Sequence, residues 1–236
     1  MYIDYYCIIN LSKSNTLFII SWKEINFINE LLNEINHVRL NPKSYAKKLR
    51  MCAQSFDGDV LRLPELKNGL ITNEGAIAYE EAAAYVENLP KLPMIHLDPN
   101  LSFAAQAIAN EMTYYNDVSE MNSINREEIM EQYGKYEGAF AMSSDFGSLT
   151  PEFVVMNLIV DDGNKSRNNR KMMFDGRYYK IGLGTCKHST FRQCTVILYV
   201  TNFIKGTGKT VMKKAKVSNY PKEEDIDYQE ELRVKR

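Results

Sequence analysis

Apolar residues recur at three- and four-residue spacing between Ile25 and Arg39, where Ile25, Ile28, Leu31, Leu32, Ile35 and Val38 mark one face of a helix. Asn41-Pro42 ends it, because the residue before proline avoids the α region. Pro42-Lys43-Ser44-Tyr45-Ala46 then opens a second helical segment with proline in its first turn. Asp57-Gly58-Asp59 is a turn. An alanine-rich helix is predicted over 73–88, stopped by Pro90 and Pro93. The turn Leu97-Asp98-Pro99-Asn100 leads into another over 101–112. A polar loop over 116–125 precedes a short helix over 126–133. Thr150 suits an N-cap, Pro151 and Glu152 suit a first turn, and the apolar run from Phe153 to Val160 forms a helix that stops at Asp161-Asp162-Gly163.

Two strand patterns follow. One covers 179–184 and ends in Ile181-Gly182-Leu183-Gly184. The other covers 193–202, where Val196, Leu198 and Val200 alternate with Ile197 and Tyr199. Both faces of the second strand are apolar, which predicts a central strand covered by helices on both sides. Helices followed by an antiparallel pair predict an α+β domain, an α-β-α layered sandwich around a central antiparallel sheet. The expected organisation is an N-terminal arm over 1–24, one domain over 25–204 and a charged C-terminal tail over 205–236. The tail is basic from Lys205 to Lys216 and acidic from Glu223 to Glu231, with too few apolar residues for a core of its own. Gly206-Thr207-Gly208-Lys209-Thr210 is similar to the end of a phosphate loop. Phe203 stands where that motif needs its first glycine, so a basic linker is expected.

Composition narrows the function classes. A chain of 236 residues that is 44% apolar can bury one substantial core. A net charge of −1 supplies no global field to recruit nucleic acid or anionic membrane. Cys7, Cys52, Cys186 and Cys194 do not form a dense disulfide pattern. Cys186 and Cys194 flank an expected hairpin, where they could pair or remain free, partly buried thiols. Asp4 and the short apolar run Leu17-Phe18-Ile19-Ile20 do not fit a secretory signal, and no stretch reaches the ~20 apolar residues of a membrane span. The expected location is cytoplasmic.

Candidate chemistry is sparse. Ser143-Ser144-Asp145 has no general base in a recognisable relation and is expected in a solvated loop. Glu74, Glu80 and Glu81 are expected on the wet face of their helix. Met142, Met156, Met172 and Met173 suit core gap-filling. His37, His96 and His188 lie in no motif that would bring two together. His188 stands between Cys186 and Cys194, where a metal clip and plain hairpin residues are the two readings. Arg167 and Arg170 are expected to brace their loop by pairing with Asp161 or Asp162.

The segment Thr150–Gly184, a helix, an acidic turn, the basic-polar stretch Ser166-Arg167-Asn168-Asn169-Arg170 and a Gly-x-Gly strand, resembles the hallmark segment of the CAP superfamily (cysteine-rich secretory proteins, antigen 5 and pathogenesis-related 1). Asn36, Arg39 and Pro42 are similar to its opening Asn-x-x-Arg-x-x-Pro helix. Leu97-Asp98-Pro99-Asn100-Leu101 with Ala104, Ala105 and Ala109 is similar to its turn and alanine-rich helix. Tyr133-Gly134-Lys135-Tyr136-Glu137-Gly138 resembles the approach to its Gly-Glu-Asn-Ile motif.

The resemblance implies a cavity of two histidines and two acidic residues, which hold zinc in some members. Here Asn116 and Asn169 fall on the histidines and Met142 on the glutamate, while Asp161 and Asp162 keep the acidic turn. A vestigial cavity of Asn116, Met142, Asp161, Asp162 and Asn169 is therefore expected, with no catalytic residue, metal or cofactor. The expected function is a non-enzymatic CAP-like subunit of a larger protein assembly, cytoskeletal or ciliary among the candidates, engaged through the arms and without nucleic acid. The alternative is a lipid- or sterol-binding CAP protein, secreted or membrane-peripheral. An enzyme with an unrecognised site stands third.

Overall fold

The computed structural model describes residues 6–10 and 17–206. Strands β1 (Tyr6–Asn10) and β2 (Leu17–Ser21) pair antiparallel, so the described part of the expected N-terminal arm is a hairpin that runs directly into helix α1 (Trp22–Leu40). Helix α2 (Pro42–Ala53) follows with proline in its first turn. Three two-residue strands, β3 (Phe56–Asp57), β4 (Val60–Leu61) and β5 (Leu70–Ile71), make a small antiparallel sheet. Helix α3 (Ala76–Glu87), strand β6 (His96–Leu97) and helix α4 (Pro99–Met112) come next. Asp98 caps α4, its Oδ1 accepting from the Asn100 and Leu101 amides, so the helix starts within the expected turn, two residues before Leu101. A short 3-10 turn over Glu120–Ser123 leads to α5 (Arg126–Glu131), β7 (Gly134–Phe146), α6 (Pro151–Val160), α7 (Asn168–Met173), β8 (Lys180–His188) and β9 (Arg192–Lys205). The expected tail lies outside the described residues except at its first two positions.

The main sheet has the order β6-β8-β9-β7. Strands β8 and β7 flank β9 antiparallel, and β6 adds a short parallel edge. Strand β9 is thus central. Ile197 and Tyr199 join a core with α1, α2, α3 and α6, while Cys194, Val196, Leu198 and Val200 join a second core with α4 and α5. The α+β class and the α-β-α layering are as the double apolar face of β9 requires.

Two elements depart from the expectation. Strand β7 is thirteen residues long and includes Ser143-Ser144-Asp145, for which the sequence predicts a solvated loop. Its alternation is interrupted by a bulge between Glu137 and Phe140, with Gly138 at φ 79° over Thr201, and much of the strand is only half-buried. The stretch 168–173, expected to be loop leading into strand, is the short helix α7.

The Gly-x-Gly of β8 is where α4 meets the sheet. A Cβ on Gly182 would collide with the Leu101 carbonyl, and one on Gly184 with the backbone of Ala105 and Gln106. The same helix covers the exposed edge of β8. Gln106 donates through Nε2 to the Thr185 carbonyl (2.7 Å) and accepts from the Thr185 amide (3.1 Å), and Ser102 Oγ accepts from the Leu183 amide (3.3 Å). These bonds occupy backbone groups that an unpaired edge would expose. Gly184→Ala is therefore expected to cost about 1–3 kcal/mol or more, as overpacking does. Gly176→Ala, whose Cβ would meet only Leu92 at ordinary contact distance, should change little. Urea unfolding midpoints of the two variants check this.

Candidate functional site

Helix α6 ends at Asp161, whose φ of 52° turns the chain sharply, and Arg167 (φ 50°) makes a second left-handed turn before α7. Between these turns the side chains converge on the start of α3. The Arg167 guanidinium holds Glu74 with two parallel bonds of 2.7 Å (Nη1 to Oε1, Nη2 to Oε2) and also donates to Glu81 (Nη2 to Oε2, 2.7 Å) and to the Asp161 carbonyl (2.7 Å). Arg170 donates from Nη1 to Glu81 Oε1 (2.8 Å) and from Nε and Nη2 to the Ile159 and Val160 carbonyls. It thereby closes carbonyls that the last turn of α6 leaves without partners. The side chain of Arg170 is 2% exposed and that of Arg167 10%.

The two aspartates are used differently. The Asp161 carboxylate accepts from the Asn169 amide (2.9 Å), Asn169 Nδ2 (2.8 Å) and Asn164 Nδ2. Asp162 reaches across to α3, accepting from the Asn73 amide (2.6 Å), Asn73 Nδ2 (3.0 Å) and the Glu74 amide (2.9 Å). Gly163 returns the contact, its amide donating to Glu74 Oε1 (2.7 Å). The Arg167 hydrogen bonds, with the Gly163 amide, hold the Glu74 carboxyl down to about 2, and Arg167 likewise lowers Glu81. With its folded pKa below the unfolded one, Glu74 contributes stability above about pH 4.5 that is lost as pH falls toward 2.

Of the five residues expected to form a cavity, the structure brings together Asp161, Asp162 and Asn169. Asn116 lies elsewhere, its Oδ1 accepting from Thr190 Oγ1 at the β8–β9 turn. Met142 sits on β7 opposite Leu198 and packs into the α4-side core. Arg167 and Arg170 pair with the carboxylates of Glu74 and Glu81, and not with those of Asp161 or Asp162. The Asp161 and Asp162 carboxylates are already filled by amide donors. Glu80 and Glu81 are exposed as expected and Glu74 is half-buried, but Glu74 and Glu81 also hold the two arginines. One sequence signal bore on this: Glu74 and Glu81 stand two turns apart, on one face of a helix and its approach.

The residues do not fit the zinc that the resemblance implies. The Asn169 side chain points its amide N–H at Asp161, and both aspartates accept donors that a metal would have to displace. Among the described residues, no group of three or more His, Cys, Asp or Glu is placed to hold a metal ion. The opening Asn-x-x-Arg motif is also structural. Asn36 exchanges two bonds with the Ile95 backbone, and the fully buried Arg39 donates to the Met173 and Pro93 carbonyls.

A second polar group lies under the sheet. Ser143 and Asp145 are buried on β7, facing α6, rather than solvated. Asp145 Oδ1 accepts from Asn157 Nδ2 at 3.4 Å. Burial pushes the Asp145 carboxyl up to about 6, against smaller opposing effects from Ser148 and Asn157. It is a proton acceptor near neutral pH, enclosed by protein and 6% exposed.

No family model matches the chain, and no curated protein matches it. Among solved structures it is similar to an outer surface protein from Borrelia burgdorferi (16% identity, TM-score 0.37, 52% of this chain and 89% of that one). It is also similar to Schistosoma mansoni venom allergen-like protein 4 (13%, 0.34, 67% and 84%) and to BmVAL-1 (11%, 0.28, 73% and 80%).

Asp145 yields a test with a defined sign. Its folded pKa of about 6 exceeds the unfolded 3.8, so the folded state holds an extra proton between these values and stability falls as pH rises through that window. The shift corresponds to about 3 kcal/mol lost at pH 7. Asp145→Asn should be about 1–3 kcal/mol more stable than the parent at pH 7, with the difference shrinking toward pH 4. Denaturant unfolding of both proteins across pH 4–7 checks this; a variant less stable at pH 7 would contradict it.

Proposed function

We propose that this chain is a non-catalytic CAP-like domain that works through protein contacts as a subunit of a larger, cytoplasmic assembly. The observation that carries this reading is the internal use of the polar loop. The carboxylates of Asp161 and Asp162, which the resemblance assigns to the cavity, and those of Glu74 and Glu81 beside them accept from backbone amides, asparagine side chains and two guanidiniums of the same domain. Groups committed in this way fix a fold and have little left to offer a substrate.

The charged segments outside the domain supply the contact surface. Residues 205–236 run from a basic block to an acidic one, a segregation that suits docking along a charged partner and would weaken with salt. No described helix is long and apolar enough to cross a membrane.

The test removes residues 1–21 and 207–236, which leaves α1 to β9 intact. The thermal midpoint should change little, and co-sedimentation of the chain with its native high-molecular-weight fraction should be lost. A truncated chain that still co-sediments, or that fails to fold, contradicts the proposal. An intact chain that sediments alone and carries bound sterol would favour the lipid-binding alternative.

A further inference from the structure

Cys186 on β8 and Cys194 on β9 stand directly opposite each other in the antiparallel ladder, just before the Ser189–Phe191 turn. Directly opposed residues in such a ladder have Cα atoms about 4.5 or 5.5 Å apart, within the ~4.4–6.8 Å that a disulfide spans. Both side chains point to the α4 side of the sheet. Cys186 Sγ donates to the Ala109 carbonyl (3.1 Å), and Cys194 Sγ donates to Met112 Sδ (3.7 Å). Ala109 lies in the last turn of α4, where intrahelical donors run out, so the Cys186 thiol serves as a cap. Cys52 is buried against Met156 Sδ and makes no such pair.

We propose that Cys186 and Cys194 form a reversible dithiol–disulfide couple that controls how firmly the C-terminal turn of α4 is held to the sheet. This rests on the strand register and stands independently of the assembly reading. The oxidant is a small-molecule disulfide. Cys186, 8% exposed against 0% for Cys194, loses its proton to solvent, and its thiolate attacks one sulfur of the reagent. A mixed disulfide forms and one thiolate leaves. The Cys194 thiolate then attacks Cys186 Sγ and expels the second. The two cysteines together give up two electrons and two protons, and the reagent takes them up as two thiols. The neighbouring Cys186 thiol and burial push the Cys194 thiol well above its ordinary range, which makes the second step slow. In the product neither sulfur carries a hydrogen, so the donors to Ala109 and Met112 are lost. The segment after α4, tied to the same hairpin by Asn116 and Thr190, then hangs on fewer contacts.

The experiment incubates the intact folded chain in mixtures of oxidised and reduced glutathione, quenches with acid, alkylates, and maps peptides without reduction. The expected product is an intrachain 186–194 crosslink that dithiothreitol reverses. Amide exchange across 110–116 should be roughly fivefold faster in the crosslinked form, the loss expected for a hydrogen bond of about 1 kcal/mol. Cys194→Ala should stop at a glutathione adduct on Cys186. If that variant does not fold, mapping of the parent decides alone. Cys186 and Cys194 remaining thiols in the folded chain at every glutathione ratio, crosslinking only after denaturation, or unchanged exchange at 110–116 would each overturn the proposal.

Discussion

The contact on which the polar half of this structure depends is the bidentate pairing of Arg167 with Glu74. It joins a loop that follows α6 to the chain just before α3, 93 residues away in sequence. Arg167 has a left-handed backbone and a nearly buried side chain, a conformation that needs the surrounding bonds to hold it. Glu81 accepts from both Arg167 and Arg170, and Arg170 in turn caps α6. The α6 end, the loop, α7 and the α3 start are therefore one clasp. Buried charges are costly unless paired and hydrogen-bonded, and here each guanidinium has carboxylate and carbonyl partners together.

The clasp sits on a sheet whose central strand is apolar on both faces. Strand β9 separates two cores, and α4 closes one of them by laying its backbone on Gly182 and Gly184. The close approach lets Ser102 and Gln106 bond the edge of β8 and brings the last turn of α4 onto the two thiols. Glycines without side chains, the length of β8 beyond its short pairing with β6 and a helix end without donors are met by one helix.

Much of the layout was legible in the sequence. The three- and four-residue apolar spacing located α1, the proline positions set the starts of α2 and α6, and the doubly apolar run 193–202 marked the central strand; α4 begins at Pro99, inside the turn expected before Leu101. Strand β7 was not legible, because its bulge breaks the period-two alternation and its serines and aspartate suggest solvent. Ser143 and Asp145 are nonetheless buried, since packing against α6 decides their environment and local polarity does not. In the loop, ion pairing by Arg167 and Arg170 followed from their types and spacing. Their partners did not: the neighbouring acids Asp161 and Asp162 are claimed by amides that come from α7 and from the approach to α3. Asn116 and Met142 illustrate the same limit, because the motif resemblance places them in one cavity, whereas Asn116 bonds Thr190 and Met142 lies on β7 opposite Leu198.

The claim that these charges are spent on holding the fold is tested most directly by a double-mutant cycle in the intact chain. Arg167→Ala, Glu74→Ala and the double variant would be unfolded in urea at pH 7. The clasp predicts a coupling of about 1–3 kcal/mol between the two sites, in the range found for residues that share one ion-pair network. A coupling indistinguishable from zero would show that the two side chains contribute independently, and would contradict the account of this loop as a structural clasp.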